Sequence, residues 1–210
     1  MKALSDFYPR IMPFLPGCSE PLIDQVLLDA AIEFCESAPV LRQTLDSFNT
    51  RIGAIEYDLD PPSNQYIIAR VMSVNVNGDE LAPVMTETVR SDLPTAVAKP
   101  TAFYTDRVDS TLVLRLAPPP DAVYPVKVIA ALRPARDATT LDNDLYNLWA
   151  DPICESAIAR AMMIPDQPFT NPAQAAALAL SAAKKITASR VESNYGMVRG
   201  SMRVSPRPFV

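Results

Sequence analysis

The sequence predicts an α+β protein, in which a helical bundle of three to four helices carries an inserted antiparallel β-sheet or small sandwich and ends in an extended C-terminal tail. Three observations predict it. Apolar residues recur at three- and four-residue steps over residues 21–39 and again over 142–194. Between residues 40 and 134 the period changes to two. Residues 195–210 then alternate Arg with Met, Val or Phe around two glycines and two prolines, a pattern that closes no core of its own.

The order of elements follows from local signals. Residues 1–20 are proline-rich and read as an irregular segment ending in the turn-like Pro16-Gly17-Cys18-Ser19. Ser19 is a good N-cap, Pro21 suits a first turn, and Glu20 with Asp24 favours a helix N-terminus. Ile23, Leu27, Ala30 and Phe34 then line one stripe, while Asp24, Asp29, Glu33 and Glu36 lie toward the other side until Pro39 stops the helix.

Candidate strands are 40–48, 52–59, 67–75, 80–90, 102–107, 111–116 and 126–132. Asn77-Gly78-Asp79 and Val108-Asp109-Ser110 read as hairpin turns, and Pro61-Pro62-Ser63-Asn64 and Pro118-Pro119-Pro120-Asp121 as breaks. Helical spacing returns with Leu145, Leu148, Trp149, Ile153, Ala157 and Ala161. Pro152 leaves two forms open: a kinked helix, or a second helix capped by Asp151 with Pro152 at its first position. Asn171 caps a last, alanine-rich helix that ends at Gly196.

Composition bounds the chemistry. The 210 residues suit one domain, or one domain with an insertion, and 49% apolar against 20% charged residues supports a real core. Five Gly against 21 Pro favours stiff connections. The interrupted apolar start is a poor signal peptide, and no run is long enough for a membrane span. Without any His, Ser-His-Asp, Cys-His and most zinc-hydrolase schemes are excluded. Cys18, Cys35 and Cys154 form no CxxC and read as reduced, mostly buried residues. Ser181 with Lys184 or Lys185 is a chance spacing on a helix face. Glu56, Asp58 and Asp60 alternate along one strand, which suits a solvated strand face better than a cation site. No catalytic residue, metal site or cofactor is expected, and the protein reads as a building part rather than an enzyme.

The net charge of −5 hides an asymmetry: residues 184–210 carry +5 and the remainder −10. Such a split marks a tail with its own partner. Alternation of Arg with apolar residues suits an extended peptide in a groove of another protein, with nucleic acid contact or a solvated tail as the other readings.

The segment PGCSEPLIDQVLLDAAIEFCESAPVLR resembles the opening helix of bacteriophage head-to-tail adaptor (connector) proteins. LYNLWADPICESAIARAMMIPDQPFTNPAQAAALALSAAKKITASR is similar to the same family's second half, and AFYTDRVDSTLVLRLAPPPDAVYPVKVIAALRP to its middle. The resemblance implies a ring, usually of twelve copies, under the portal of a tailed phage. That ring extends the DNA channel and docks a downstream tail or nozzle protein in the virion neck, with no membrane role. It also implies a portal-binding arm over 195–210, with Tyr195, Met197, Arg199, Met202, Arg203, Arg207, Phe209 and Val210 as its contact residues. Asp24, Asp29 and Glu33 are candidates to line the channel. The alanine-rich helix either meets a ring neighbour or closes its own bundle. A tail-completion or terminator protein, and a ligand-binding β-sandwich module, are the alternative readings.

Overall fold

A computed structural model describes residues 1–84, 96–108 and 111–195. The chain opens with a two-residue strand, β1 (Lys2–Ala3), a 3-10 turn (Leu4–Phe7), the short helix α1 (Tyr8–Ile11) and a second 3-10 turn (Met12–Phe14). The expectation of an irregular segment over 1–20 is therefore corrected. Leu4, Phe7, Ile11 and Leu15 recur at helical steps across the prolines, and all four are buried. That burial holds the turns in place where local propensity alone fails.

Helix α2 (Glu20–Ser37) starts after Ser19, whose side chain makes no capping bond; its carbonyl instead accepts from Leu22 N and Ile23 N, each at 3.1 Å. Its buried stripe includes Ile23, Leu27, Ala30 and Phe34, as the spacing predicts.

The β region is built from β2 (Arg42–Thr44), β3 (Phe48–Asn49), β4 (Glu56–Leu59), β5 (Tyr66–Val76), β6 (Asp79–Glu80), β7 (Ala82–Pro83), β8 (Ala102–Val108), β9 (Thr111–Ala117), β10 (Pro125–Pro134) and β11 (Thr140–Leu141). A five-stranded sheet runs β2-β10-β5-β6, with β3 also on β10, and a four-stranded sheet runs β4-β9-β8-β7. β1 and β11 form a separate pair. Among the described residues the pairings are antiparallel except β7 with β8. Asn77 and Gly78 both take positive φ (53° and 92°), the two-residue turn that an Asn-Gly pair favours.

Two expected strands are shorter than predicted. Residues 52–59 contribute strand only from Glu56, because a turn closes at Gly53 (φ +75°) and Ala54 N donates to Arg51 O. Residues 40–48 split into β2 and β3, since both lie along one side of β10 and the chain leaves the ladder between them. The expected strand 80–90 contributes Ala82–Pro83, and its part beyond Val84 lies outside the described residues, as do Asp109 and Ser110.

Helix α3 (Asn143–Met162) is capped by Asp142, whose Oδ1 accepts from Asp144 N at 2.8 Å. The kinked form is the one observed. Trp149 leaves helical geometry (φ −127°, ψ 18°), because Pro152 offers no N–H to the carbonyl of Leu148 and its ring crowds that carbonyl. Asp151 lies inside the helix and pairs with Arg10, so it is not a cap.

Asn171 caps α4 (Pro172–Tyr195) as predicted, with Gln174 N donating to Asn171 Oδ1 at 3.1 Å. The helix runs through Tyr195, one residue into the segment expected to be extended. Residues 196–210 lie outside the described residues, the Gly196 stop with them.

α3 packs against both α2 and α4, and α2 also packs on β10. One apolar cluster runs from the N-terminal turns through these helices into the sheets, with Phe7, Phe34, Val74, Leu114, Val128 and Ile153 all fully buried. Among the described residues the fold is thus mixed α+β, with four α-helices and several antiparallel sheets.

Candidate functional site

The three acidic candidates sit on one helix, and each is held by another element of the same chain. Tyr8 Oη donates to Asp24 Oδ1 at 2.9 Å. Arg136 pairs with Asp29 at 3.6 Å, and Arg160 of α3 pairs with Glu33. Arg133 of β10 takes Glu36 in the same way, at 3.2 Å. Spacing along α2 places these carboxylates outside its buried stripe; the cations that meet them come from 97 or more positions away and are invisible to local pattern. The Tyr8 hydroxyl is pushed up to about 12 by burial, then by its bond to Asp24 and the charges of Asp24 and Glu20.

The alanine-rich helix α4 divides its two faces. Ala175, Ala182 and Ser189 are buried, and Leu178 and Ile186 pack partly against the core. Lys185 is tied to Glu155 of α3 at 2.6 Å. The other face holds Ala176, Ala179 and Ala183, with Leu180 60% exposed and Val191 48%. A groove of about 550 Å³ runs between α3 and α4 beside the Glu33–Arg160 pair, floored by alanines and flanked by Met163. The helix therefore closes its own chain's core and still presents a second apolar face.

The root of the C-terminal segment is fixed. Arg42 Nη2 donates to Ser193 O at 2.7 Å, and Ser193 Oγ donates to Pro39 O at 2.7 Å. These bonds span more than 150 positions, so no sequence signal marks them. Of the proposed arm residues, Tyr195 ends α4, and Met197, Arg199, Met202, Arg203, Arg207, Phe209 and Val210 lie outside the described residues.

The alternating carboxylates separate. Glu56 pairs with Arg115 of β9 at 2.9 Å. Asp58 and Asp60 instead line a cleft of about 330 Å³ together with Asp46, a residue the alternation did not single out. Among the described residues no cluster of acidic or thiol side chains is placed to hold a metal ion. Cys35 and Cys154 are buried free thiols, pushed upward by burial, Cys154 to about 12. Cys18 is half-buried.

At one end of the β region, Ile52 (67%), Val123 (61%) and Val97 (56%) are exposed. Gly53 N donates to Pro120 O and Ala98 N to Pro119 O, at 2.8 and 2.9 Å, bringing these loops together. No local pattern marks this apolar end: Val97 and Val123 are single apolar positions in loops, and Ile52, expected to open a strand, lies in the turn at Gly53.

Among the described residues no helix is long and apolar enough to cross a membrane. A family model described as SU10 adaptor protein matches residues 3–205. The chain belongs to that family of phage adaptor proteins. It is accordingly a component of the phage particle. Comparison with curated proteins finds no match.

Proposed function

We propose that this protein is the head-to-tail adaptor of a tailed phage, forming a ring of twelve copies under the portal and having no catalytic role. In this reading the helical segments 21–39 and 142–194 are a bundle that carries an inserted β domain over residues 40–134. The observation that carries it is the charge division: a −10 body and a +5 stretch that begins at Lys184 within α4 and continues past the helix end fixed by Ser193.

An acidic body repeated around a channel repels DNA phosphates and keeps the passage free of sticking. Asp24 meets a phenol and not a cation, so no opposing charge offsets its field. Asp29 and Glu33 contribute less field, being paired with Arg136 and Arg160. Ring neighbours meet through two different patches. The outward face of α4 supplies one, and the apolar end around Ile52 and Val123 supplies a docking face for the next tail component.

The arm over 195–210 grips the portal, with apolar side chains in pockets and Arg199, Arg203 and Arg207 on acidic rims. Removing residues 196–210 is expected to abolish portal binding in a pull-down while circular dichroism and the unfolding midpoint stay unchanged. Portal capture at undiminished affinity by the truncated protein overturns the arm's role. Capture by tail tube instead of portal favours a tail-completion protein.

A further inference from the structure

We propose that the cleft between the edge strands β2 and β4 is the docking groove for this chain's own C-terminal segment, residues 196–210. Among the described residues both strands are sheet edges: β2 pairs with β10 alone, and β4 with β9 alone. Their outer sides face one groove of about 330 Å³, lined by Gln43–Phe48 on one side and Asp58–Pro62 on the other. Unpaired strand edges accept an extended peptide through main-chain hydrogen bonds. Leu45 and Leu59 are buried at its floor, and Phe48 is half-buried beside them.

Charge selects the occupant. Asp46, Asp58 and Asp60 are exposed along the groove, and none has an ion-pair partner among the described residues. They are spread along the groove rather than converged on one point. A spread row of carboxylates suits a spread row of cations. Residues 196–210 carry Arg199, Arg203 and Arg207 at four-residue intervals, no acidic residue, and Met, Val and Phe between the arginines.

Position selects the chain's own segment over another copy's. Ser193 is bonded to Arg42 and Pro39, so α4 ends beside the residue that precedes Gln43. Fully extended, residues 196–210 reach about 50 Å, ample to follow the groove from that point. The assignment concerns the free chain and stands without the portal reading; where the portal takes the arm, it does so in competition with this groove.

Trypsin cuts after arginine except before proline, so its rates at Arg199 and Arg203 in the full chain report whether the arm is held, while Arg207 precedes Pro208 and stays uncut. Slow cutting is expected at low salt. Cutting at least about tenfold faster is expected in 0.5 M salt and in the variant Asp46→Asn/Asp58→Asn/Asp60→Asn, checked for folding by circular dichroism. The variant Glu80→Gln/Asp137→Asn/Asp166→Asn removes the same charge elsewhere and is expected to cut at the wild-type rate. Equal rates in the wild type and the cleft variant overturn the proposal, and so does equal acceleration in both variants. Protection that strengthens with protein concentration assigns the groove to a second copy and overturns the intramolecular form.

Discussion

Tyr8 and Tyr66 each tie a carboxylate to a distant part of the chain. Tyr8 holds Asp24 on α2, and Tyr66 of β5 donates to Asp142 Oδ2 at 3.0 Å while the other oxygen of Asp142 caps α3. Burial raises both phenols first, and the neighbouring carboxylates raise them further. The neutral phenol is therefore the form the fold favours. Its stabilisation is complete below the ordinary value of 10 and fades as pH climbs through the folded value, about 12 for Tyr8. The buried thiols of Cys35 and Cys154, raised from 9.0, act in the same direction and stay in place in every variant. Urea midpoints measured from pH 8 to 12 are expected to fall, and to fall less steeply in Tyr8→Phe and Tyr66→Phe. Slopes identical to wild type in both variants count against the coupling.

Helices in this chain begin and break where side-chain chemistry dictates. Asn171 satisfies Gln174 N at the start of α4, and Asn171 Nδ2 donates to Gln174 Oε1 at 3.2 Å. Its replacement by Ala is expected to lower stability by about 1 kcal/mol in urea denaturation. An unchanged midpoint means the packing of Ala175 and Ala182 alone holds the helix start. Pro152 acts differently, shifting its disturbance to Trp149 three residues earlier, where the indole still meets Phe34 at 6.2 Å between ring centres. Ser19 marks a helix start correctly but works through its carbonyl, so the residue type indicated the position and not the bond.

Helices and sheets share one apolar cluster, which joins Ile11, Leu27 and Ile153 to Ile68, Val128 and Leu114. Shared burial couples the elements, because losing one exposes apolar surface on the next. Trp149, the single tryptophan, reports the helical layer, and far-UV dichroism reports both layers. The two signals are expected to give one coincident unfolding transition in urea. Separate midpoints would show that the β region folds apart from the helices.

Periodicity and turn chemistry by themselves determined most of the elements of this protein. The stripe of α2, the Asn77-Gly78 hairpin, the cap at Asn171, the pairing of β8 with β9 and the buried Cys35 and Cys154 are all local consequences of residue type and spacing. The charge division between body and tail is equally a property of composition. Tertiary structure decided the rest. Leu4, Phe7, Ile11 and Leu15 form helical turns because the core buries all four, and Pro9 and Pro13 fall in the first turns of their short helices, where no N–H is needed. Asp29 and Glu33 are paired with Arg136 and Arg160, and Asp46 joins Asp58 and Asp60, only because distant segments converge. Local pattern reads which face of an element is apolar; which charge meets which depends on contacts between residues far apart in the chain.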